Sequence, residues 1–275
     1  TWWDALVGCA LSCITFLVST AFTEYIPARL LDPLNNVTIA FVAGVLSAAI
    51  KIAKPELNTN LTVLGAIAIP LPGYTISLGV GELVVGRIIP GMAHLIGGLV
   101  VLGWLLLGAC LGAFIVERAA DVPSYTGDIN VVPAFWQALF VPLLCVGLAI
   151  AFQNSYRDLP WSVLCQGLSY CIVVGFSYLP QDGAANNLGI VASSIVMTLF
   201  SNIWSRWKDK PTNILLLPSV VLQVSGTIGF RGILALGQGN TDVGMQEFLR
   251  MFLVALLIFL GVGIGMVVLP PNSII

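Results

Sequence analysis

Residues 69–87 read IPLPGYTISLGVGELVVGR and place a Pro-Leu-Pro-Gly segment, followed by a glutamate, inside a chain of long apolar runs. Proline lacks a backbone donor and clashes with the preceding helical turn, and glycine adopts backbone angles that other residues avoid. We therefore predict that Pro70, Pro72 and Gly73 interrupt a helix. If this break lies inside a membrane, the freed backbone groups need partners from protein or from a water-lined cavity.

The composition around this stretch is that of a membrane protein. Apolar residues make up 58% of the 275-residue chain, only 9% are charged, and the mean hydropathy is +0.98, whereas an average soluble domain has about 25% charged residues. Residues 95–116 form an uncharged run of 22 residues, and about 20 helical residues cross a hydrocarbon core roughly 30 Å thick. We predict an all-α, polytopic membrane helical bundle. The nine candidate spans are residues 5–22, 37–50, 61–86, 95–116, 135–152, 161–179, 188–204, 213–236 and 251–269.

Charge and motif content exclude several classes of function. The formal net charge of −2 gives no indication of nucleic-acid binding. The apolar runs instead predict that the partner is a lipid bilayer, either the plasma membrane or an internal membrane. A single histidine cannot form a His-x-x-x-His zinc site, and the chain has no Gly-x-x-x-x-Gly-Lys loop for ATP. We predict no cofactor, no metal site and no enzymatic activity.

The glycines indicate an internal repeat. When the chain is compared with itself at an offset of 153 residues, six glycines of residues 73–112 coincide with six glycines of residues 226–265. The two windows contain 10 and 9 glycines, so chance predicts about two coincidences. The coinciding pairs are Gly73/Gly226, Gly79/Gly232, Gly86/Gly239, Gly91/Gly244, Gly108/Gly261 and Gly112/Gly265.

The number of spans between the copies predicts their relative orientation. The second copy begins five spans after the first, and because five is odd, the copies face opposite ways across the membrane. Inverted repeats with a broken helix in each copy are a recurring architecture of secondary transporters. We therefore predict two inverted five-span repeats, the first truncated to four spans, with its missing span expected before Thr1. The predicted domains are residues 1–118 and 134–271, joined by a loop at 119–133.

The broken helices offer groups that suit a free amino acid. An exposed helix N-terminus binds a carboxylate, exposed carbonyls accept hydrogen bonds from an ammonium group, and short hydroxyls can bind a small polar side chain. The predicted substrate-binding residues are Pro72, Gly73, Thr75, Ser77, Gly226, Thr227 and Arg231. The alternative is a proline kink that only shapes helix packing.

Glu82 is the predicted proton carrier. An ionisable group inside a span costs about 3 kcal/mol or more unless it faces protein or water, and desolvation favours the neutral, protonated form of a carboxyl group. The alternative is an interfacial carboxylate that is paired with Arg87 or Arg231. Weaker candidates for proton coupling are Asp242, Glu247 and Asp4, and His94 is a further candidate. The histidine among them is either a proton relay or an interfacial packing residue.

Two Gly-x-x-x-Gly pairs, at residues 108–112 and 261–265, occupy matching positions in the repeat. Such pairs let helix backbones approach closely. We interpret them as packing contacts within the chain, and the alternative is a contact in a homo-oligomer.

With these residues in view, the chain resembles the threonine/serine exporter (ThrE-type) family, especially its fungal-like eukaryotic members. The resemblance rests on TWWDALVGCALS (1–12), IPLPGYTISLGVGELVVGRIIPGMAHL (69–95), FWQALFVPLLCVGLAI (135–150), NIWSRWKDKPTNILLLPSVVLQVSGTIGFRGI (202–233) and VVLPP (267–271). It implies ten spans in two halves, and export of threonine, serine or related small neutral amino acids driven by the proton gradient.

Two departures from the family pattern concern the substrate. The family's second break usually reads Val-Pro-Gly-Ser, whereas residues 224–227 read Val-Ser-Gly-Thr and lack the proline. His94 stands where family members commonly have arginine. The function predicted from the sequence is a proton-coupled exporter of small neutral amino acids. The alternatives are a passive channel for small polar solutes and a non-transporting membrane interaction protein.

Overall fold

The computed structural model describes residues 2–25, 28–54, 57–68, 70–84, 86–120, 134–178, 184–223, 226–237 and 240–270. Across these ranges the chain forms eleven α-helices and no strand, so the all-α prediction is confirmed. The helices are α1 Trp2–Tyr25, α2 Ala28–Ala53, α3 Thr59–Ala66, α4 Gly73–Val84, α5 Ile88–Ala120, α6 Ala134–Ala151, α7 Leu159–Ser177, α8 Ala184–Lys208, α9 Asn213–Leu222, α10 Gly226–Gly237 and α11 Thr241–Val268.

The helices match the apolar runs of the sequence. Within the described ranges, five helices are long and apolar enough to cross a membrane, namely α2, α5, α7, α8 and α11. Apolar segments of α1, α6 and α9 are shorter. Seven of the nine predicted runs contain one helix, and the two runs with Pro or Gly in the middle contain two short helices each.

The first broken run is interrupted where its prolines lie. Helix α3 ends at Ala66 and α4 begins at Gly73, because neither Pro70 nor Pro72 can continue the ladder of backbone hydrogen bonds. The second interruption is shorter, since α9 ends at Leu222 and α10 begins at Gly226. Val224 and Ser225, two residues of the predicted second break, lie outside the described residues.

Three long helices begin seven or more residues before their apolar runs, and one of them is α2, which begins at Ala28 rather than at 37. Helix α5 begins at Ile88 rather than at 95, and α11 begins at Thr241 rather than at 251. The apolar run marks the part of a helix that suits hydrocarbon, whereas the helix continues as long as its backbone ladder is intact. His94, Asp242 and Glu247 are therefore helical residues.

The chain forms two compact units. The first unit comprises residues 1–72, 97–133 and 229–246, and the second comprises 73–96, 134–228 and 247–275. In the first unit, α1, α2 and α3 pack against one another. In the second unit, α7 packs on α6, α8 and α9, and α4 packs on α9. The predicted sequence domains remain a prediction, because α4 of the first half groups with the second unit and most of α10 groups with the first.

The core of the second unit holds the beginning of α4 in place. Its buried residues come from α7, α8, α9 and α11, and Tyr74 of α4 packs against them. They are Cys165, Met197, Trp204, Leu215, Leu216, Val220, Val254 and Ile258. A short loop at one end of this unit is fixed by Lys210, whose Nζ donates to both carboxylate oxygens of the buried Asp158, at 2.8 and 2.6 Å.

Glycines allow the long helices to pack closely in both units. A Cβ on Gly108 of α5 would lie within 3.0 Å of the Phe41 nitrogen of α2 and still closer to the Val37 carbonyl oxygen. A Cβ on Gly261 of α11 would lie 2.7 Å from the Val191 carbonyl oxygen of α8. Each Gly-x-x-x-Gly pair therefore makes a contact within the chain.

We expect Gly108→Ala to destabilise the first unit by about 1–3 kcal/mol, because the added methyl group meets backbone atoms that cannot turn aside. The matched control is Gly103→Ala in the same helix, where an added Cβ meets no described residue within 4 Å. The control is expected to be neutral or stabilising by up to about 1 kcal/mol, through higher helix propensity. Thermal unfolding of the detergent-solubilised protein measures both changes, and equal melting temperatures for the two variants would contradict the assigned contact.

Candidate functional site

An ionisable pair joins the end of α4 to the beginning of α5. Nδ1 of His94 and Oε2 of Glu82 lie 2.6 Å apart and share one hydrogen bond, in which either atom is the donor, depending on protonation and tautomer. The Glu82 side chain is 18% exposed and that of His94 is 40% exposed. The pair can therefore hold or pass a proton at a defined position, with His94 as the more accessible partner.

The turn between the two helices creates this pairing. Gly86 has a φ of +82°, a left-handed conformation that suits glycine, and the Arg87 nitrogen donates to the Glu82 carbonyl oxygen at 2.8 Å. The chain reverses, and α5 runs back along α4. We call residues 73–96 the α4–α5 hairpin; all of it belongs to the second unit.

Two glycines bring the helices of this hairpin close together. A Cβ on Gly79 would lie 2.9 Å from the Gly91 carbonyl oxygen and 2.8 Å from the Leu95 nitrogen. A Cβ on Gly91 would lie 2.9 Å from the Leu83 nitrogen. This backbone contact, one turn from Glu82, allows a carboxylate and an imidazole on short side chains to meet.

The turn after α10 repeats the backbone pattern without the ionisable pair. The Asn240 nitrogen donates to the Ala235 carbonyl oxygen at 2.9 Å, and the Gly244 nitrogen donates to the Asn240 carbonyl oxygen at 3.0 Å. The same bonds occur 153 residues earlier, from Arg87 to Glu82 and from Gly91 to Arg87. Alanine at position 235 therefore replaces the glutamate of the first turn.

The residues predicted to bind substrate in the first copy lie in and just before the first turns of α4. Pro72, Gly73 and Ser77 are buried, and Thr75 is half-buried. The free backbone N–H groups of a helix N-terminus lie at this point of the chain. The geometry is compatible with an anion-binding end next to short hydroxyl groups.

The second set of predicted substrate residues is less completely described. Gly226 and Thr227 form the first turn of α10, but the Thr227 side chain lies outside the description. Arg231 is an exposed residue of α10. Asp242 is exposed in the first turn of α11, and the structure does not test its predicted role in proton coupling.

The partner of Glu82 was not identified by sequence reasoning, which considered Arg87 and Arg231. The contact needs α5 to begin at Ile88, seven residues before its apolar run. A spacing of twelve residues between Glu82 and His94 carries no signal of its own, because it depends on where the turn lies.

A polar cluster at the end of α9 was also missed. Gln223, the C-cap of α9, donates from Nε2 to the hydroxyls of Ser169 and Ser193, both at 2.6 Å. Its Oε1 accepts from the Ser194 hydroxyl at 3.1 Å. The side chain of Gln223 thus fills the space beside the second break with satisfied hydrogen bonds.

Comparisons with known proteins cover nearly the whole chain. A family model described as "Threonine/Serine exporter, ThrE" matches residues 137–268, and a second model of this exporter family, ThrE, matches residues 1–116. No solved structure matches the chain.

The related curated proteins are fungal and much longer. An uncharacterized protein of Schizosaccharomyces pombe is 26% identical over 86% of this chain and 29% of its own length. Pheromone-regulated membrane protein 10 of Kluyveromyces lactis is 24% identical over 84% of the chain and 24% of its own length. The protein of the same name in Eremothecium gossypii is 23% identical over 83% of the chain and 30% of its own length. The chain thus spans less than a third of these relatives.

Proposed function

Since the chain belongs to the threonine/serine exporter family, we propose that it is a secondary transporter that exports small neutral amino acids, threonine and serine foremost, in exchange for protons. Its fold is that of an integral membrane protein with several apolar helices. The single observation that carries the proposed coupling is the hydrogen bond between Glu82 and His94 at the end of a short, interrupted helix.

The proposed coupling uses Glu82 as the proton carrier and His94 as its relay. A carboxyl group becomes neutral when it takes up a proton. Because a charged group that is shielded from water is costly and a neutral one is not, protonation changes which surroundings of the side chain are favourable. The more exposed imidazole can exchange protons with water and pass them through the shared hydrogen bond. Asp242 remains a secondary candidate in this proposal.

The proposed substrate contacts come from the residues at the starts of α4 and α10, together with one arginine. Backbone N–H groups at a helix N-terminus favour a carboxylate, and the hydroxyls there suit a hydroxylated side chain. The residues proposed to contact substrate are Pro72, Gly73, Thr75, Ser77, Gly226, Thr227 and Arg231.

We also propose that the two halves are inverted repeats. The proposal is supported by the backbone hydrogen bonds that recur at an offset of 153 residues and by the equivalent glycine contacts of α5 on α2 and of α11 on α8. Alternating exposure of a site by rocking of the repeats is the mechanism that such an architecture allows. Fluorescence labelling that measures whether the proposed substrate site is accessible from each side of the membrane would test this mechanism.

The experiment that tests the function follows labelled serine and threonine in proteoliposomes that contain the full-length protein and an imposed pH gradient. We expect accumulation against the solute gradient, abolished by a protonophore. Equilibration without accumulation would instead indicate a passive channel for small polar solutes. No flux of any small amino acid would contradict transport and favour a membrane interaction protein, a role compatible with the much greater length of the relatives.

A further inference from the structure

A partly open cavity of about 100 Å³ lies in the first unit beside the end of α3, and its mostly apolar lining includes several polar groups. Its polar and backbone lining comes from three helices and the segment after α3. These residues are Ser12, Thr15, Ser19, Asn35, Ala66 and Pro70, and the apolar side chains of Phe16 and Ile39 complete the lining. The lining contains no acidic and no basic side chain, so polar recognition in this cavity relies on neutral oxygen atoms.

Hydrogen bonds within the lining leave acceptors available. Asn35 donates from Nδ2 to the Ser19 hydroxyl at 3.0 Å, while its Oδ1 is buried and accepts no hydrogen bond from any residue that the structure describes. The Thr15 hydroxyl, on a side chain that is 3% exposed, lies within donating distance of the Ala66 carbonyl oxygen, at 3.1 Å. Among the described residues, this hydroxyl takes part only as a donor, to the carbonyl oxygens of Ser12 and Ala66. A buried amide oxygen without a donor is unfavourable, and a ligand N–H group would satisfy it once the Asn35 side chain turns this oxygen toward the cavity.

The end of α3 favours a positive group at the same place. Ala66 is the last residue of α3, and carbonyl groups at a helix C-terminus carry partial negative charge. An anion would be repelled by these carbonyls, whereas an ammonium group has three donors to share among them and the neighbouring hydroxyls.

In the second unit, a side chain of the protein itself places a nitrogen donor among hydroxyl groups at the end of a short helix. There, the C-cap residue of α9 is Gln223, whose Nε2 donates to the hydroxyls of Ser169 and Ser193. In the first unit, the C-cap residue of α3 is Ile67, which offers no such group. A nitrogen donor among hydroxyl oxygens at the end of the short helix is thus an arrangement that this fold already stabilises.

We infer that this cavity binds the ammonium group of the transported amino acid, an assignment that rests on the proposed function. Its size supports the assignment, because a water occupies about 30 Å³ and a cavity of about 150 Å³ accommodates benzene. A volume of about 100 Å³ is therefore large enough for the ammonium end of serine or threonine.

The test measures binding to the full-length protein in lipid nanodiscs by calorimetry, so that it does not depend on transport. The ligands are serine, ethanolamine, which lacks the carboxylate, and 3-hydroxypropionate, which lacks the ammonium group. We expect serine and ethanolamine to bind and 3-hydroxypropionate to bind about tenfold more weakly or worse. Asn35→Leu, of similar size, should weaken both ammonium ligands by about tenfold or more, the usual effect of losing a hydrogen bond to a charged group.

The matched control is Asn36→Leu, the same change at the next position of α2, which does not line the cavity; it should leave binding unchanged. Binding of ethanolamine that Asn35→Leu does not alter would overturn the assignment, as would equal affinity for 3-hydroxypropionate or no binding of either ammonium ligand. If Na⁺ displaces ethanolamine and binds more tightly than it does, the cavity is a site for an inorganic cation and the assignment is wrong. If Asn35→Leu leaves the KM of serine transport unchanged, the assigned cavity is wrong but the proposed transport function is unaffected. If ethanolamine binding depends on Asn35 but no flux is seen, the cavity binds an ammonium group and the proposed transport function is wrong.

Discussion

Replacing Glu82 by glutamine is expected to abolish accumulation of serine against its gradient. Glutamine keeps the size and hydrogen-bonding capacity of the side chain but cannot take up or release a proton. With one proton exchanged per substrate, a gradient of one pH unit supports about tenfold accumulation, since both correspond to about 1.4 kcal/mol. The ratio of internal to external serine should therefore fall from about ten to about one. Steady-state uptake of labelled serine into proteoliposomes measures this ratio.

The matched control for Glu82→Gln is Asp209→Asn, which makes the same carboxyl-to-amide change at an exposed position after α8. Asp209 has a φ of +54°, a conformation that asparagine tolerates well, so this variant should accumulate serine normally. His94→Gln should reduce accumulation less than Glu82→Gln, because the carboxyl group itself remains. Full accumulation by a folded, correctly inserted Glu82→Gln protein would rule out Glu82 as the proton carrier.

Gly79→Val is expected to separate the helices of the α4–α5 hairpin and to remove both stability and coupling. Even a Cβ at Gly79 would lie 2.8 Å from the Leu95 nitrogen and 2.9 Å from the Gly91 carbonyl oxygen, which are backbone atoms. Overpacking of this kind costs about 1–3 kcal/mol or more. His94 lies between Gly91 and Leu95, the two residues at this contact. We therefore expect its hydrogen bond with Glu82 to be lost as the helices move apart. Thermal unfolding and proton-driven uptake measure the two effects.

Gly97→Val is the control for this prediction, because it makes the same change in α5 at a place where no atom of the described ranges lies within 4 Å of the added Cβ. Both variants place a β-branched residue in a helix, so the difference between their melting temperatures isolates the steric contact. Equal melting temperatures, or normal coupling in Gly79→Val, would show that the hairpin tolerates wider spacing and that the short distance between its helices is not required.

Several features follow from local sequence and are seen in the structure. Charged residues are too few and apolar runs too long for a soluble domain, so the bundle of membrane helices was predictable from hydropathy alone. The break before Gly73 was predictable as well, because the effect of proline on a helix depends on the proline and the turn preceding it. The glycine coincidences identified Gly79, Gly91, Gly108 and Gly261 as positions with a shared role, and each of them lies at a close helix contact.

Other features were not accessible in this way because they depend on where the chain turns and on which helices become neighbours. Hydropathy places the ends of a run at the edge of the hydrocarbon, so it missed the extra turns of α5 that carry His94. The cavity beside Ala66 is built by helices that are distant in sequence, and only the spacing of Ser12, Thr15 and Ser19 along one face of α1 offered a local signal.

The sequence by itself therefore determined the class of protein, the helices and the positions of their breaks, since these depend on neighbouring residues and on the solvent that surrounds them. Only the tertiary structure decided the partner of Glu82 and the environment of Asn35, whose Oδ1 accepts no hydrogen bond from the described part of the chain. A hydrogen bond needs two groups within about 3 Å of each other. The turn at Gly86 brings His94 within this distance of Glu82, and the packing of α1, α2 and α3 decides which groups surround Asn35.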